Sequence, residues 1–297
     1  MANNLTLAGA ADIVRQLGWK TCKPEIRAVS GGDTSSTFLL VNRKQKAFVK
    51  TASSTLSDIL LAEADGLTAL AAADVIRVPA ILALGTLESE ETDFIALEAL
   101  DLHARNHICD HRLGEQLARL HAECGKQFGW HRDNYLGATP QDNSPDSSWV
   151  RFFWDKRLEP QINTISSSYP DSELIDLFQT LRNRWFECGA EHTPEPALIH
   201  GDFWAGNAAS LADETPVIFD PAIHFGDREC DLAMADLFGG YGEAFYRGYQ
   251  STWPLPSGWQ KRRVFYQIYH LLNHANLFGA GYLDSAKRRI ERLRQRD

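Results

Sequence analysis

What most restricts the fold of this chain is a change of pattern near residue 100. Before it, short apolar runs read as strands around one helix; after it, helical periods dominate. Ser36 to Val41 and Lys46 to Thr51 suggest a hairpin about the turn-like Asn42-Arg43-Lys44-Gln45, and Ala80 to Leu87 with Phe94 to Leu97 suggest two more strands about Glu88 to Glu91. Between these pairs, Leu56, Ile59, Leu60, Leu67, Leu70 and Ala71 keep a helical period over Thr55 to Ala73. Further helices are expected at Asp12 to Leu17, His111 to Cys124, Ser148 to Leu158, Ser172 to Cys188, and from about Glu229 onward. Segregated strands and helices predict an α+β fold. A small antiparallel-sheet lobe over residues 1–100 would meet a larger, mostly helical lobe over 101–297 at a cleft.

Charge and composition remove several function classes. The chain has 30 Lys plus Arg against 39 Asp plus Glu, a net charge of −9, which repels nucleic acid and anionic lipid. Neither is an expected partner. Val264 to Leu283 carries no formal charge over a length that could span a bilayer, yet Gln267, His270, Asn273, His274 and Asn276 interrupt it. A buried helix is the expectation. The five cysteines form no C-x-x-C pair and the N-terminus does not resemble a secretion signal, which points to a reducing cytoplasm. The basic run Lys287-Arg288-Arg289 to Arg296 is interleaved with Glu291 and follows Asp284, so a solvated terminal helix is expected.

Two apolar runs each empty into an aspartate. Leu198-Ile199-His200-Gly201-Asp202 opens a polar loop that closes with Gly206-Asn207, and Val217-Ile218-Phe219-Asp220-Pro221 repeats the pattern. Asp202, Asn207 and Asp220 form an oxygen-rich set suited to Mg2+ and a general base. Phosphoryl transfer needs such a set together with a cation on the nucleotide phosphates. Lys50, ending Phe48-Val49-Lys50, supplies the cation, and Glu63 on the next helix can hold it. Gly31-Gly32 before the first hairpin strand would let backbone approach phosphates. The order Gly loop, Lys, Glu, Asp-x4-Asn, Asp is that of a protein-kinase-like nucleotide site. A competing set, His200, Asp202, Asp220 and His224, resembles metallohydrolase ligands. It leaves Lys50 and Glu63 without roles, and a histidine at a strand end more commonly orients a loop.

These residues carry a specific resemblance. The segments His200-Gly201-Asp202-Phe203-Trp204-Ala205-Gly206-Asn207, Phe219-Asp220-Pro221-Ala222, Gly226-Asp227-Arg228-Glu229-Cys230-Asp231-Leu232-Ala233 and Leu272-Asn273-His274 resemble the fructosamine/ketosamine kinase family, which shares the protein-kinase-like fold with aminoglycoside phosphotransferases. The resemblance implies Asp202 as proton acceptor, Asn207 and Asp220 as Mg2+ ligands, and Lys50 with Glu63 on the ATP phosphates. It further implies Glu98-Ala99-Leu100 as an adenine-binding hinge, Asp231 as an anchor of the catalytic loop, and Trp204 and His274 as contacts to the sugar or amine. The implied reaction is ATP-dependent phosphorylation of the 3-hydroxyl of a ketoamine (a fructosamine, ribulosamine or erythrulosamine), leading to deglycation. Phosphorylation of another hydroxylated small molecule, such as an aminoglycoside, and a nucleotide-binding pseudokinase are the alternatives. The phosphate loop has only two adjacent glycines, and the short gap from Asp220 to Glu229 leaves no room for a long activation loop.

Overall fold

The computed structural model describes residues 5–20, 23–29, 35–53, 56–87 and 92–294. Within it the chain forms two units: Met1–Cys109 with Ala208–Pro221, and Asp110–Asn207 with Ala222–Asp297. The first unit thus includes one segment, Ala208–Pro221, that returns from later in the chain.

In the first unit, α1 (Leu7–Gln16) precedes β1 (Glu25–Ala28), β2 (Ser36–Asn42) and β3 (Gln45–Ser53), then α2 (Ser57–Ala73), β4 (Ile81–Leu87) and β5 (Thr92–Glu98). The five strands form one antiparallel sheet in the order β1-β2-β3-β5-β4. β2 and β3 pair from Ser36 with Thr51 to Asn42 with Gln45, and Arg43 takes φ 59° in the tight turn between them. Alternation along β3 sorts its side chains. Ala47 and Val49 join Ile13, Val14, Leu40 and Phe94 in a core on one face, which turns Lys50 toward the other, where α2 packs. The acidic turn expected at Glu88 to Glu91 lies outside the described residues, as do Gly31 and Gly32.

The returning segment forms β9 (Ala208–Ser210) and β10 (Pro216–Ile218), an antiparallel pair. Ser210 exchanges two backbone bonds with His103 (2.8 and 3.0 Å), and the Ile218 N–H donates to the Arg77 carbonyl at 3.0 Å. These bonds bring Asp220, far along the chain, into the unit that holds Lys50.

The second unit is helical: α3 (His107–His121) enters it, and α4 (Trp149–Phe153), α5 (Glu159–Ser168), α6 (Ser172–Gly189), α7 (Glu229–Leu237), α8 (Glu243–Thr252), α9 (Trp259–Phe278) and α10 (Ala280–Arg294) follow. Small antiparallel pairs join β6 (Asn134–Leu136) to β7 (Thr139–Gln141) and β8 (Ala197–Ile199) to β11 (His224–Gly226). Its core gathers Trp149, Phe153, Trp185, Phe265 and Tyr266. α9 covers most of the uncharged stretch, and three of its polar side chains bond inside the protein: Gln267 to Asp236 and the Ala233 carbonyl, Asn276 to Gln161, and the Asn273 amide nitrogen to the Leu136 carbonyl. No described helix is long and apolar enough to cross a membrane.

Candidate active site

Lys50 lies in the middle of β3 with two carboxylates on its ammonium. Its Nζ donates to Glu63 Oε1 at 2.7 Å and to Asp220 Oδ1 at 2.6 Å. Lys50 and Glu63 are buried, whereas the Asp220 side chain is 39% exposed. Burial works against the charged ammonium, but Glu63 and Asp220 outweigh it and hold Lys50 above its ordinary range. At Glu63 burial wins: its carboxyl is raised despite Lys50, with Asp220 adding to the rise. Lys50 is thus a fixed cation at neutral pH. Asp220 adopts a left-handed backbone, φ 58°, directly before Pro221, a conformation that costs a non-glycine residue about 1–3 kcal/mol. The backbone bonds of β10 and the Lys50 contact hold it there.

Asp202 stands on the loop after β8. Gly201 enters that loop with φ 81°, and a Cβ on it would lie 2.1 Å from the Ala222 carbonyl oxygen, so the turn admits only glycine. Asp231, in the first turn of α7, accepts the His200 N–H on Oδ2 (2.7 Å) and the Gly201 N–H on Oδ1 (2.9 Å). It anchors the loop and does not cap its own helix. A buried relay stands behind it: His121 Nε2 lies 3.1 Å from Asp231 Oδ2, the Tyr249 hydroxyl 2.9 Å from His121 Nδ1, and Arg228 donates to that hydroxyl at 3.0 Å. The donors and acceptors all match when His121 is neutral and protonated on Nε2. Burial would raise the Asp231 carboxyl, but His121, then His200, hold it below the usual range.

The far end of the loop is fixed as well. Asn207 Nδ2 donates to the Asp202 carbonyl and to Asp202 Oδ2, both at 3.0 Å. The Asp202 N–H donates to His200 Nδ1 at 3.3 Å, so His200 orients the loop. Trp204 is 41% exposed, and its indole lies so close over Gly206 that a Cβ there would fall 2.2 Å from the ring. The Tyr241 hydroxyl donates to the Trp204 carbonyl at 3.2 Å.

The remaining candidates are more scattered. Glu98 closes β5, pairs with Arg77 and accepts the Ala80 N–H at 3.2 Å; Ala99 and Leu100 follow the last pair of the ladder. His274 bonds the His270 carbonyl at 2.8 Å and sits among Phe238, Phe278 and Tyr282. The hydrolase set does not assemble as a metal group. His224 is buried with Nδ1 3.2 Å from the Ala222 carbonyl, and among the described residues the one close His/Asp/Glu trio is His192, Asp227 and Glu229. That trio is already engaged: His192 and Tyr266 take Asp227, and Arg262 forks onto Glu229 at 2.6 and 2.8 Å. Sequence reasoning missed His121, Tyr249 and Arg228. Of these, only Arg228, inside the charged Gly226 to Asp231 run, left a local signal.

Comparison with known proteins gives the family and the fold. Residues 8–296 match the family model described as fructosamine kinase. A "Probable ketoamine kinase" of Synechocystis sp. is 41% identical over 94% of this chain and 95% of its own, and the chloroplastic protein-ribulosamine 3-kinase of Arabidopsis thaliana is 38% identical over 80% of this chain and 73% of its own. A crystal structure assigned as a fructosamine-3-kinase, from Haemophilus somnus, superposes with a TM-score of 0.86 at 27% identity, covering 95% of both chains. The aminoglycoside phosphotransferase APH(4)-Ia, in a ternary complex with AMP-PNP and hygromycin B, shares the fold alone: TM-score 0.66, 14% identity, 96% of this chain and 97% of the other. The chain is a two-lobed phosphotransferase of the protein-kinase-like fold and belongs to the fructosamine kinase family.

Proposed function

We propose that this kinase uses ATP and Mg2+ to phosphorylate the 3-hydroxyl of ketosamines. The observation that carries the reading is the hold on Asp202, whose loop is pinned by Asp231 at one end and by Asn207 at the other. Preorganisation of this kind suits a proton acceptor. Asp202 takes the proton of the acceptor hydroxyl as its oxygen attacks the γ-phosphorus and ADP leaves. Lys50, kept cationic by Glu63 and Asp220, contacts the phosphates, a role for which the Gly31-Gly32 pair is a candidate from sequence alone; Glu98, Ala99 and Leu100 offer backbone groups to adenine.

Asn207 and Asp220 suit a hard cation. The Asn207 amide nitrogen is engaged by Asp202, which turns its oxygen the other way, and the Asp220 carboxylate is partly open. Mg2+ bound there would neutralise charge developing on the phosphates. The exposed Trp204 and the aromatic surround of His274 suit contacts to the sugar and its amine. The names of the relatives support a ketosamine acceptor. A phosphate on C3, next to the C2 carbonyl, is set up for elimination: enolisation toward C1 expels inorganic phosphate, and water then hydrolyses the imine left at C1, which frees the amine and completes deglycation. We place the protein in the cytoplasm, in keeping with Cys109, Cys124, Cys188 and Cys230, which form no disulfide.

ADP release from Mg-ATP, measured side by side with ribuloselysine, fructoselysine and kanamycin, tests the reading. Turnover is expected with at least one ketosamine and not with kanamycin, and to stop when EDTA removes the metal. Silence with both ketosamines overturns it.

A further inference from the structure

Away from these residues, the second unit holds a cavity of about 320 Å³, walled by Asp236 from α7, Arg263 and Gln267 from α9, and Arg289 and Arg292 from α10. Three guanidiniums face one carboxylate, an excess of two positive charges in a chain whose net charge is −9. That carboxylate is already used: Asp236 Oδ2 takes Arg263 Nη1 at 3.0 Å and Gln267 Nε2 at 2.8 Å. Arg263 still keeps Nε buried without a partner. Among the described residues, Arg289 and Arg292 have no carboxylate at ion-pair distance, and Arg289 reaches only the Ser285 carbonyl, at 3.5 Å. Burial, then the like charges of Arg292 and Arg288, push Arg289 below its ordinary range. The basic run of α10 is therefore solvated on one side, while Arg289 and Arg292 also line this open pocket.

Crowded guanidiniums are stabilised by an anion that brings acceptor oxygens and opposite charge. The planar fork of arginine matches the paired oxygens of phosphate, and a dianion balances the excess of two. The volume lies at the small end of ligand pockets, about 300–1,000 Å³, which suits a small phosphate compound. We propose that this cavity binds a phosphate dianion, either inorganic phosphate or the phosphate of a small sugar ester, through Arg263, Arg289 and Arg292, with Asp236 holding Arg263 in place. The proposal is independent of the kinase chemistry.

Calorimetric titration of the full chain at constant ionic strength, with inorganic phosphate in one arm and glucose 6-phosphate in the other, tests it. Wild-type protein is expected to bind at least one of the two, and the tighter one identifies the source. The Arg289→Gln/Arg292→Gln variant is expected to lose that site or to bind about tenfold or more weakly, with ketosamine turnover unchanged. Arg292→Gln alone, at an exposed position, is expected to weaken binding in the same direction should the double variant fold poorly. No binding in either arm, or isotherms identical to wild type in the variants, overturns the proposal.

Discussion

Asp231 carries more of the candidate site than its position in a helix suggests. One buried carboxylate accepts two loop N–H groups and His121, so its removal strands all three donors. Asp231→Ala is expected to cost about 3–5 kcal/mol in urea unfolding and to lower kcat as well. Asp202→Asn separates the two effects. The carboxylate that takes the proton is lost while the loop anchors remain, so kcat is expected to fall about 10²–10⁴-fold, with nucleotide affinity and unfolding midpoint near wild type. Wild-type turnover in Asp202→Asn would remove Asp202 from the mechanism. The two residues also differ in how they can be read. Asp202 and Asp220 end apolar runs where the pattern breaks, and the pairing of Lys50 with Glu63 follows from strand and helix order. By contrast, Lys50 meets Asp220 across 170 residues and His121 meets Tyr249 across 128. Within amphipathic helices, His121 and Tyr249 look like ordinary inward positions, and no local pattern shows their bond.

Elements position these side chains through a few close approaches. α3 and α8 cross with backbones nearly touching: a Cβ on Gly114 would lie 2.1 Å from the Phe245 carbonyl oxygen, and one on Gly248 2.1 Å from that of His111. The crossing brings together the helices that carry His121 and Tyr249. Gly114→Ala is expected to push them apart at a cost of about 1–3 kcal/mol, read in urea unfolding, and to slow turnover through the relay behind Asp231. Stability equal to wild type would show that the helices separate freely. Another junction has a chemical cause. α4 passes into α5 through a π turn, Trp154–Leu158, just ahead of Pro160. Proline offers no N–H to the Lys156 carbonyl, and the buried Arg157 guanidinium takes that carbonyl at 3.0 Å together with the Asp142 carbonyl and Asn143 Oδ1. The helical period of Ser148 to Leu158 is readable in the sequence, but its change of pitch is not, because that depends on Arg157 finding acceptors in another segment. The main helices and the four longer strands are legible for the same reason that β6 to β11 are mostly not: three-residue strands are too short to show a period.

At the scale of the whole molecule, acid should act through histidines that burial keeps neutral. His270 is held down to about 3 from 6.5, by burial and then by His274, with Asp231 pulling the other way. His224 is well below 6.5, through burial and then Arg157. A folded pKa below the unfolded one means that the unfolded chain takes up the proton first, so stability falls as pH drops below 6.5 and continues to fall toward 3 for His270. At about 1.4 kcal/mol per pH unit, His270 alone should cost about 2 kcal/mol between pH 6.5 and 5. Other buried groups act differently. Asp227 and Asp231 are lowered from 3.8, so their contribution is lost only below that value. Glu63 and Glu229 are raised from 4.5; their stabilising contribution is full below 4.5 and is lost as pH rises through their folded values, which opposes the histidines on the acid side. The net slope of the wild type is thus a poor measure of any one group, and a difference isolates it. His270→Leu deletes a ring whose Nδ1 is buried without a partner, and only its own proton linkage disappears. Urea unfolding of both proteins at pH 7 and pH 5 should show the variant gaining about 2 kcal/mol on the wild type between the two conditions. A gap that does not move with pH would mean that folded His270 takes up its proton as readily as the unfolded chain does.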